Sequence, residues 1–269
     1  MTGQNRVRSG LVLTGILLST LRAEGPNPPD AEVETFLKTG RIVSSALIGQ
    51  GVTKASRATL NLRGRTHEAQ VQSINIKLND LYSPDGKPVA WRDDYKHNIA
   101  AYKLDRMLQM NMTPVSVERL VGKQKAAFTW WVDNVAMMES DREKKNMAPP
   151  DPEAWAKQLS VAATFDQLIY NVDRNTGNLL ITKDWTLILI DHTRAFAPNP
   201  RLMDRPHFDR CSRQLLDMVR KLDKPTLTAG LAPWVTPSQI DGMLVRRDMI
   251  VQHFDKLIKE KGEAAVLFN

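Results

Sequence analysis

Residues 165–196 read FDQLIYNVDRNTGNLLITKDWTLILIDHTRAF. Trp155, Leu159, Ala162, Phe165 and Ile169 keep helical spacing into this stretch, so a long amphipathic helix is expected to deliver Asp173-Arg174-Asn175 in a loop at its C-terminal end. After Asn178 a hydrophobic hairpin is expected, turning at Lys183-Asp184 with Thr186–Ile190 as its second strand, which returns Asp191 toward Asn178. A polar turn of Asp, Asn and Gly is common by itself. The ordered set of helix, Asp173, Asn178, hairpin and Asp191 carries more. It supplies one carboxylate able to orient a hydroxyl and two hard oxygen donors suited to Mg²⁺, the parts that phosphoryl transfer requires.

Outward from this stretch, Asp151 followed by Pro152 marks the start of the preceding helix, with Asp as cap and Pro where a missing N–H costs nothing. Further upstream, Arg41–Ile48 and Arg57–Leu62 read as strands around Gly49-Gln50-Gly51-Val52-Thr53. A glycine turn between strands lets backbone N–H groups approach a phosphate closely, although most such turns are only turns. A short helix is expected over Glu32–Leu37, a third strand over Ala69–Lys77, and an exposed loop over Leu81–Val89, which holds Pro84-Asp85-Gly86 and Pro88. Tyr95–Met110 has helical periodicity, and Pro114–Val121 and Ala126–Val132 read as two more strands joined at Gly122-Lys123. Downstream of Asp191 the chain is loop-like through Pro198, Pro200 and Pro206; helices follow over Ser212–Leu222 and from the Thr236–Gln239 capping box to Gly262.

At these residues the chain resembles the atypical kinases of the protein-kinase-like superfamily, and in particular bacterial proteins related to the phosphatidylinositol 3- and 4-kinases, the HipA-type kinases and the secretory-pathway kinases. The likeness spans about residues 40–200 and is specific over 165–196. It implies an α+β fold of two lobes: a small β-rich N-lobe with one helix over 31–132, and a mainly helical C-lobe with a catalytic β-hairpin over 133–269. It implies ATP and Mg²⁺ as cofactors, with Asp173 and Arg174 in the catalytic loop, Asn178 and Asp191 as metal ligands, and Gly49, Gly51, Val52, Thr53 and Lys77 at the nucleotide.

Departures from the family pattern are visible as well. Asn98 stands where the N-lobe helix carries a Glu that pairs with a strand Lys, and that Lys position falls on either Lys77 or Gln72, depending on register. Asp94, one helical turn earlier, is a candidate substitute acid. His192-Thr193-Arg194 replaces the usual Phe-Gly after the metal Asp. His192 is expected to be packed or hydrogen-bonded, and Arg194 fits either a phosphate or a loop carboxylate. An active phosphotransferase, a pseudokinase that binds nucleotide or a partner without turnover, and a partner-binding scaffold are the three functional readings. The acceptor is left open among protein, lipid headgroup, sugar and small molecule, and AMP transfer remains an alternative reaction.

Composition sets broad bounds. The 269 residues are 42% hydrophobic and 25% charged, ordinary for a folded chain with one large core or two small ones. The net charge of +7 includes Arg6, Arg8 and Arg22 in a segment without acids, and no basic block interleaved with aromatics argues for nucleic acid. Residues 1–23 have the charged, apolar, small-residue order of a signal peptide, and Gly25–Asp30 reads as a proline-rich linker within residues 24–30. Export to a periplasmic or extracellular space is therefore expected, with a cytoplasmic chain if the poor Leu21-x-Ala23 cleavage site is not used, and no membrane span in the mature chain. Cys211 is the only cysteine, so no intrachain disulfide forms. An inert, buried thiol is the expectation.

Overall fold

The computed structural model describes residues 28–49, 55–82 and 88–269, and for 77–92 the backbone alone. The expected signal peptide, most of the linker, and Gly51, Val52 and Thr53 of the glycine turn lie outside the described residues. Among those described, no helix is long and apolar enough to cross a membrane.

The N-lobe is built on a five-stranded antiparallel sheet in the order β1-β2-β3-β7-β6, from β1 (Arg41–Leu47), β2 (Ser56–Leu62), β3 (Arg65–Gln72), β6 (Ser116–Val121) and β7 (Gln124–Trp130). Its tight turns follow turn chemistry. Arg63 and Gly64 join β2 to β3 with φ of 52° and 84°, and Gly122 opens the two-residue turn into β7 with φ of 60°. Helix α1 (Asp30–Thr39) has Asp30 and Glu32 in its first turn and Lys38 in its last, matching the helix dipole, and buries Val33, Phe36 and Leu37 on the sheet. Helix α2 (Lys96–Met107) is buried over most of its length. Tyr102 joins the N-lobe core with Leu60, Val117 and Phe128, whereas Ala100, Ala101 and Leu104 join the C-lobe core. One helix thus fastens two cores, with roughly 1.5–3 kcal/mol for each large apolar side chain taken from water.

Two expectations are corrected here. The strand foreseen over Ala69–Lys77 ends at Gln72, and the residues beyond it begin a separate hairpin, β4 (Asn75–Tyr82) with β5 (Pro88–Asp94). The ends of the segment read as an exposed loop, Leu81–Tyr82 and Pro88–Val89, belong to those strands, and Lys77 pairs with Arg92 within the hairpin. Proline at the first position of a strand is tolerated because it need not donate to the ladder.

In the C-lobe, β8 (Val135–Met138) pairs with β9 (Leu179–Thr182), which pairs in turn with β10 (Leu187–Leu189). The short α3 (Glu139–Lys144) precedes the long α4 (Pro152–Ile169). The Asp151 side chain accepts from Ala154 N at 3.0 Å, and the helix ends at Tyr170 in the left-handed region, φ 49°. Past β11 (Cys211–Ser212) lie α5 (Arg213–Lys221), α6 (Lys224–Leu231) and α7 (Pro237–Lys261), the last opened by the expected Thr236–Gln239 capping box. Helix α6 was not foreseen, although Asp223 as its cap and Pro225 in its first turn are legible start signals. After α8 (Glu263–Val266), β12 (Leu267–Phe268) pairs in parallel with β11 and secures the C-terminus beside Cys211.

Candidate functional site

The site forms where the α4 C-terminus, the β9–β10 hairpin and α2 converge. Asp173 lies in the loop after α4, its N–H donating to Asn171 Oδ1 at 3.2 Å and its side chain partly exposed. Asn178 closes that loop: its Nδ2 donates to Asp173 O at 3.1 Å, and its own carbonyl accepts from Ile190 N at 3.1 Å. This second bond crosses the hairpin and brings Asn178 beside Asp191, so the spacing read in the sequence becomes proximity. Asp191 has φ of 52°, a left-handed conformation that Asp tolerates better than most residues, and its Oδ1 accepts from Thr193 Oγ1 at 3.0 Å. Burial pushes its carboxyl above the ordinary range; the Thr193 hydrogen bond opposes this, and the nearby charges of Asp93 and Asp173 add to the rise. A group that pays such a penalty for ionising is suited to hold a cation.

Arg174 points inward. Its guanidinium donates to both oxygens of Asp166, at 2.9 and 3.1 Å, to Asn178 O at 2.9 Å, to Ile190 O at 2.8 Å and to His192 Nε2 at 2.9 Å. One side chain therefore fixes the α4 end, both sides of the hairpin and the residue after Asp191. His192 is buried, and burial, reinforced by the adjacent Arg174 charge, holds its pKa well below the usual value, so the ring is a neutral acceptor.

Helix α2 grips the same loop from the N-lobe side. Asn98 Oδ1 accepts from His192 N at 2.7 Å, Thr193 O accepts from Asp94 N at 3.0 Å, and His97 Nδ1 lies 2.9 Å from that carbonyl. Asn98 Nδ2 in turn donates to Gln72 Oε1 at 2.7 Å. Of the two registers open in the sequence, Gln72 is therefore the residue that meets Asn98. The strand–helix contact is a neutral amide pair, buried, with Gln72 Nε2 lacking a hydrogen-bond partner among the described residues. Lys77 lies on the separate β4–β5 hairpin. The Asp94 side chain instead turns to the backbone ahead of α2, its Oδ1 accepting from Lys96 N at 3.0 Å.

Arg194 bridges two carboxylates, its Nε to Asp93 Oδ2 at 3.2 Å and its Nη1 to Asp173 Oδ2 at 3.1 Å. Asp93 is a site residue that sequence reasoning missed. It is 3% exposed, its Oδ1 has no partner among the described residues, and no motif marks it at the end of β5. Gly49, the one glycine of the expected nucleotide loop among the described residues, has φ of 43°, and no described residue stands within 4 Å of where a Cβ would be. A recess of about 440 Å³ is bordered by Asp30, Arg106, Trp130 and Lys183, and none of Asp173, Asn178 or Asp191 lines it.

No protein-family model and no curated protein matches the sequence. Solved structures do match in three dimensions. A hydra Fam20 protein, solved with a sugar, aligns with a TM-score of 0.66 at 14% identity over 88% of this chain and 91% of that one. The Golgi casein kinase with Mn and ADP bound aligns at 0.62, 14% identity, over 88% of this chain and 78% of that one. The Helicobacter pylori proinflammatory kinase CtkA aligns at 0.54, 10% identity, over 84% of this chain and 98% of that one. The two lobes, the helix spanning their cores and the hairpin carrying Asp191 are thus the atypical protein-kinase-like fold.

Proposed function

We propose that the chain is a nucleotide- and divalent-metal-dependent phosphotransferase acting on a hydroxyl acceptor. The observation that carries this is the convergence of Asp173, Asn178 and Asp191 around one pair of hydrogen bonds, Asn178 Nδ2 to Asp173 O and Ile190 N to Asn178 O. Asp173, partly exposed at the loop surface, accepts the hydrogen bond of the incoming hydroxyl and orients it. The donor set fits Mg²⁺, which takes hard oxygens and usually one or two from the protein. Among the described residues no three carboxylate, imidazole or thiolate groups make a self-sufficient cage, so Asp191 and Asn178 would hold the ion together with phosphate oxygens. A cation held by these residues would supply charge neutralisation to the phosphates. Arg174, as a positioning residue, keeps Asn178 and Asp191 at a fixed separation. Gly49, Gly51, Val52 and Thr53 would cover the phosphates from the N-lobe, with Lys77 as a further nucleotide contact from the β4–β5 hairpin. The acceptor belongs to the class of hydroxyl compounds: protein, lipid headgroup, sugar or small molecule.

A second reading is an exported pseudokinase that binds nucleotide or a partner without turnover. The uncharged Gln72–Asn98 pair favours it, since the family's strand–helix ion pair holds the nucleotide phosphates.

Thermal unfolding of the chain with ATP and ADP, each with and without Mg²⁺, tests the nucleotide site. A Mg²⁺-dependent rise in Tm that is lost in Asp191→Ala is expected. No rise with either nucleotide in a folded protein would overturn the phosphotransferase reading and leave only a partner-binding role.

A further inference from the structure

The charge balance around Asp173 does not match that of a resting nucleotide site. Asp93, Asp173 and Asp191 converge, Arg174 is committed to Asp166, and the strand–helix pair is a neutral Gln72–Asn98 amide contact. Triphosphate carries more negative charge into this space and needs a cation there besides the metal. Arg194 is the guanidinium positioned to supply it. It follows the metal-loop Asp by three residues, and two of its ion pairs come from opposite lobes: Asp93 at the end of β5 and Asp173 in the loop after α4. Neither pair satisfies its carboxylate. Asp93 Oδ1 is buried with no partner among the described residues, and the Asp173 side chain is about a third exposed, at 35%.

We propose, resting on the nucleotide reading above, that Arg194 binds the terminal phosphates of the nucleotide, and that Asp93 and Asp173 hold it beside the cleft until the nucleotide arrives. The geometry supports the reach. A hydroxyl oriented by Asp173 and the phosphoryl group it attacks stand roughly 3–3.5 Å apart. A guanidinium 3.1 Å from Asp173 Oδ2 is therefore a side-chain rotation from that phosphoryl group. Its planar fork can bond two phosphate oxygens at once, which a lysine ammonium cannot do in the same geometry. Transfer of Arg194 to phosphate also frees Asp173 to accept a hydroxyl, so the carboxylate is masked in the empty site and exposed when a nucleotide is present. Asp93 remains as the N-lobe counter-charge that sets how readily the arginine leaves.

The test is calorimetric titration of the full chain with Mg²⁺-ATP and with AMP. Arg194→Gln should weaken ATP roughly 10- to 100-fold, the range for a hydrogen bond to a charged group, while leaving AMP within about twofold; Arg194→Lys should recover part of the loss. Asp93→Asn should act in the opposite sense and tighten ATP several-fold, since it removes a competitor for the arginine, and should give no gain in the Arg194→Gln background. A structural role for either residue would not produce that inversion. If wild type binds ATP and Asp93→Asn binds it equally or more weakly, the proposal is overturned while the nucleotide reading stands, and this holds even if Arg194→Gln fails to fold. Equal ATP affinity in wild type and Arg194→Gln overturns it as well. Wild type that binds neither ATP nor AMP removes the nucleotide reading and this inference with it.

Discussion

Two of the contacts that fasten the loop around Asp191, one from each lobe, differ in charge. From the C-lobe, Arg174 and Asp166 form a buried ion pair with every guanidinium bond aimed at the loop or at the helix end. From the N-lobe, Asn98 reaches His192 N and Gln72 through a single uncharged amide. The charged clamp joins the α4 end to the hairpin, where a fixed geometry repays burial of two ions. The neutral clamp spans the lobes, beside the place where a charged ligand would enter. A buried ion pair there would lower the demand for other cations; an amide pair leaves that demand to Arg194 and to a metal.

Breaking the charged clamp should have the largest effect. Arg174→Met leaves Asp166 buried without its cation and should destabilise the fold by about 3–5 kcal/mol, read as loss of Tm and of the denaturant midpoint. A charge placed in the neutral clamp sharpens the contrast. Gln72→Lys alone buries an ammonium opposite Asn98 and should lower stability by roughly 2 kcal/mol or more. Adding Asn98→Glu should recover part of that, with a coupling of about 0.5–3 kcal/mol in the double-mutant cycle. Additive losses would mean the two side chains do not share one contact.

The same loop is also seated from below. Gly242 of α7 lies so close to Pro198 that a Cβ would stand 2.9–3.1 Å from its backbone, and Arg246 in the next turn donates to Leu168 O at 2.9 Å and Ala197 O at 3.1 Å. Burial, with no carboxylate partner among the described residues, lowers the Arg246 pKa to about 10. Gly242→Ala should cost about 1–3 kcal/mol by pushing α7 away from the loop.

The smallest effect concerns the seam between α1 and α2. Burial alone would raise the pKa of Glu34, but hydrogen bonds from Lys103, Lys38 and Tyr102 outweigh it and hold the group at about 2, below the ordinary 4.5. Its stabilising contribution is therefore complete above pH 4.5 and is lost as the pH falls toward 2. Glu34→Gln should remove on the order of 1 kcal/mol at neutral pH, discounted for solvent screening, and flatten the acid limb of a Tm-against-pH curve in that window.

Legibility in the sequence followed the range of the interaction. Caps are local, so Asp151, Thr236 and Gln239 announced their helices. The helix, loop and hairpin around Asp191 lie within one continuous stretch, so periodicity and turn residues sufficed to place them. The β4–β5 hairpin was obscured because Pro84-Asp85-Gly86 and Pro88 carry strong turn signals, which outweighed the strand character of the flanks. The Gln72–Asn98 contact and the convergence of Asp93 with Arg194 join residues far apart in the chain, and no spacing rule links them. Cys211 was legible as well: an inert, buried thiol was expected, and burial raises its pKa to about 12.

The central claim is that Asp173 orients an acceptor beside a metal-bound nucleotide. The most direct test is release or transfer of the ATP γ-phosphate, measured with Mg²⁺ for the wild type and for Asp173→Asn. The account predicts a metal-dependent rate in the wild type and a loss of roughly 100-fold or more in the variant, the contribution expected of a positioned base, with the Mg²⁺-nucleotide shift in Tm retained. Equal rates in the two proteins would contradict the role of Asp173, and nucleotide binding with no wild-type turnover on any acceptor would identify a pseudokinase.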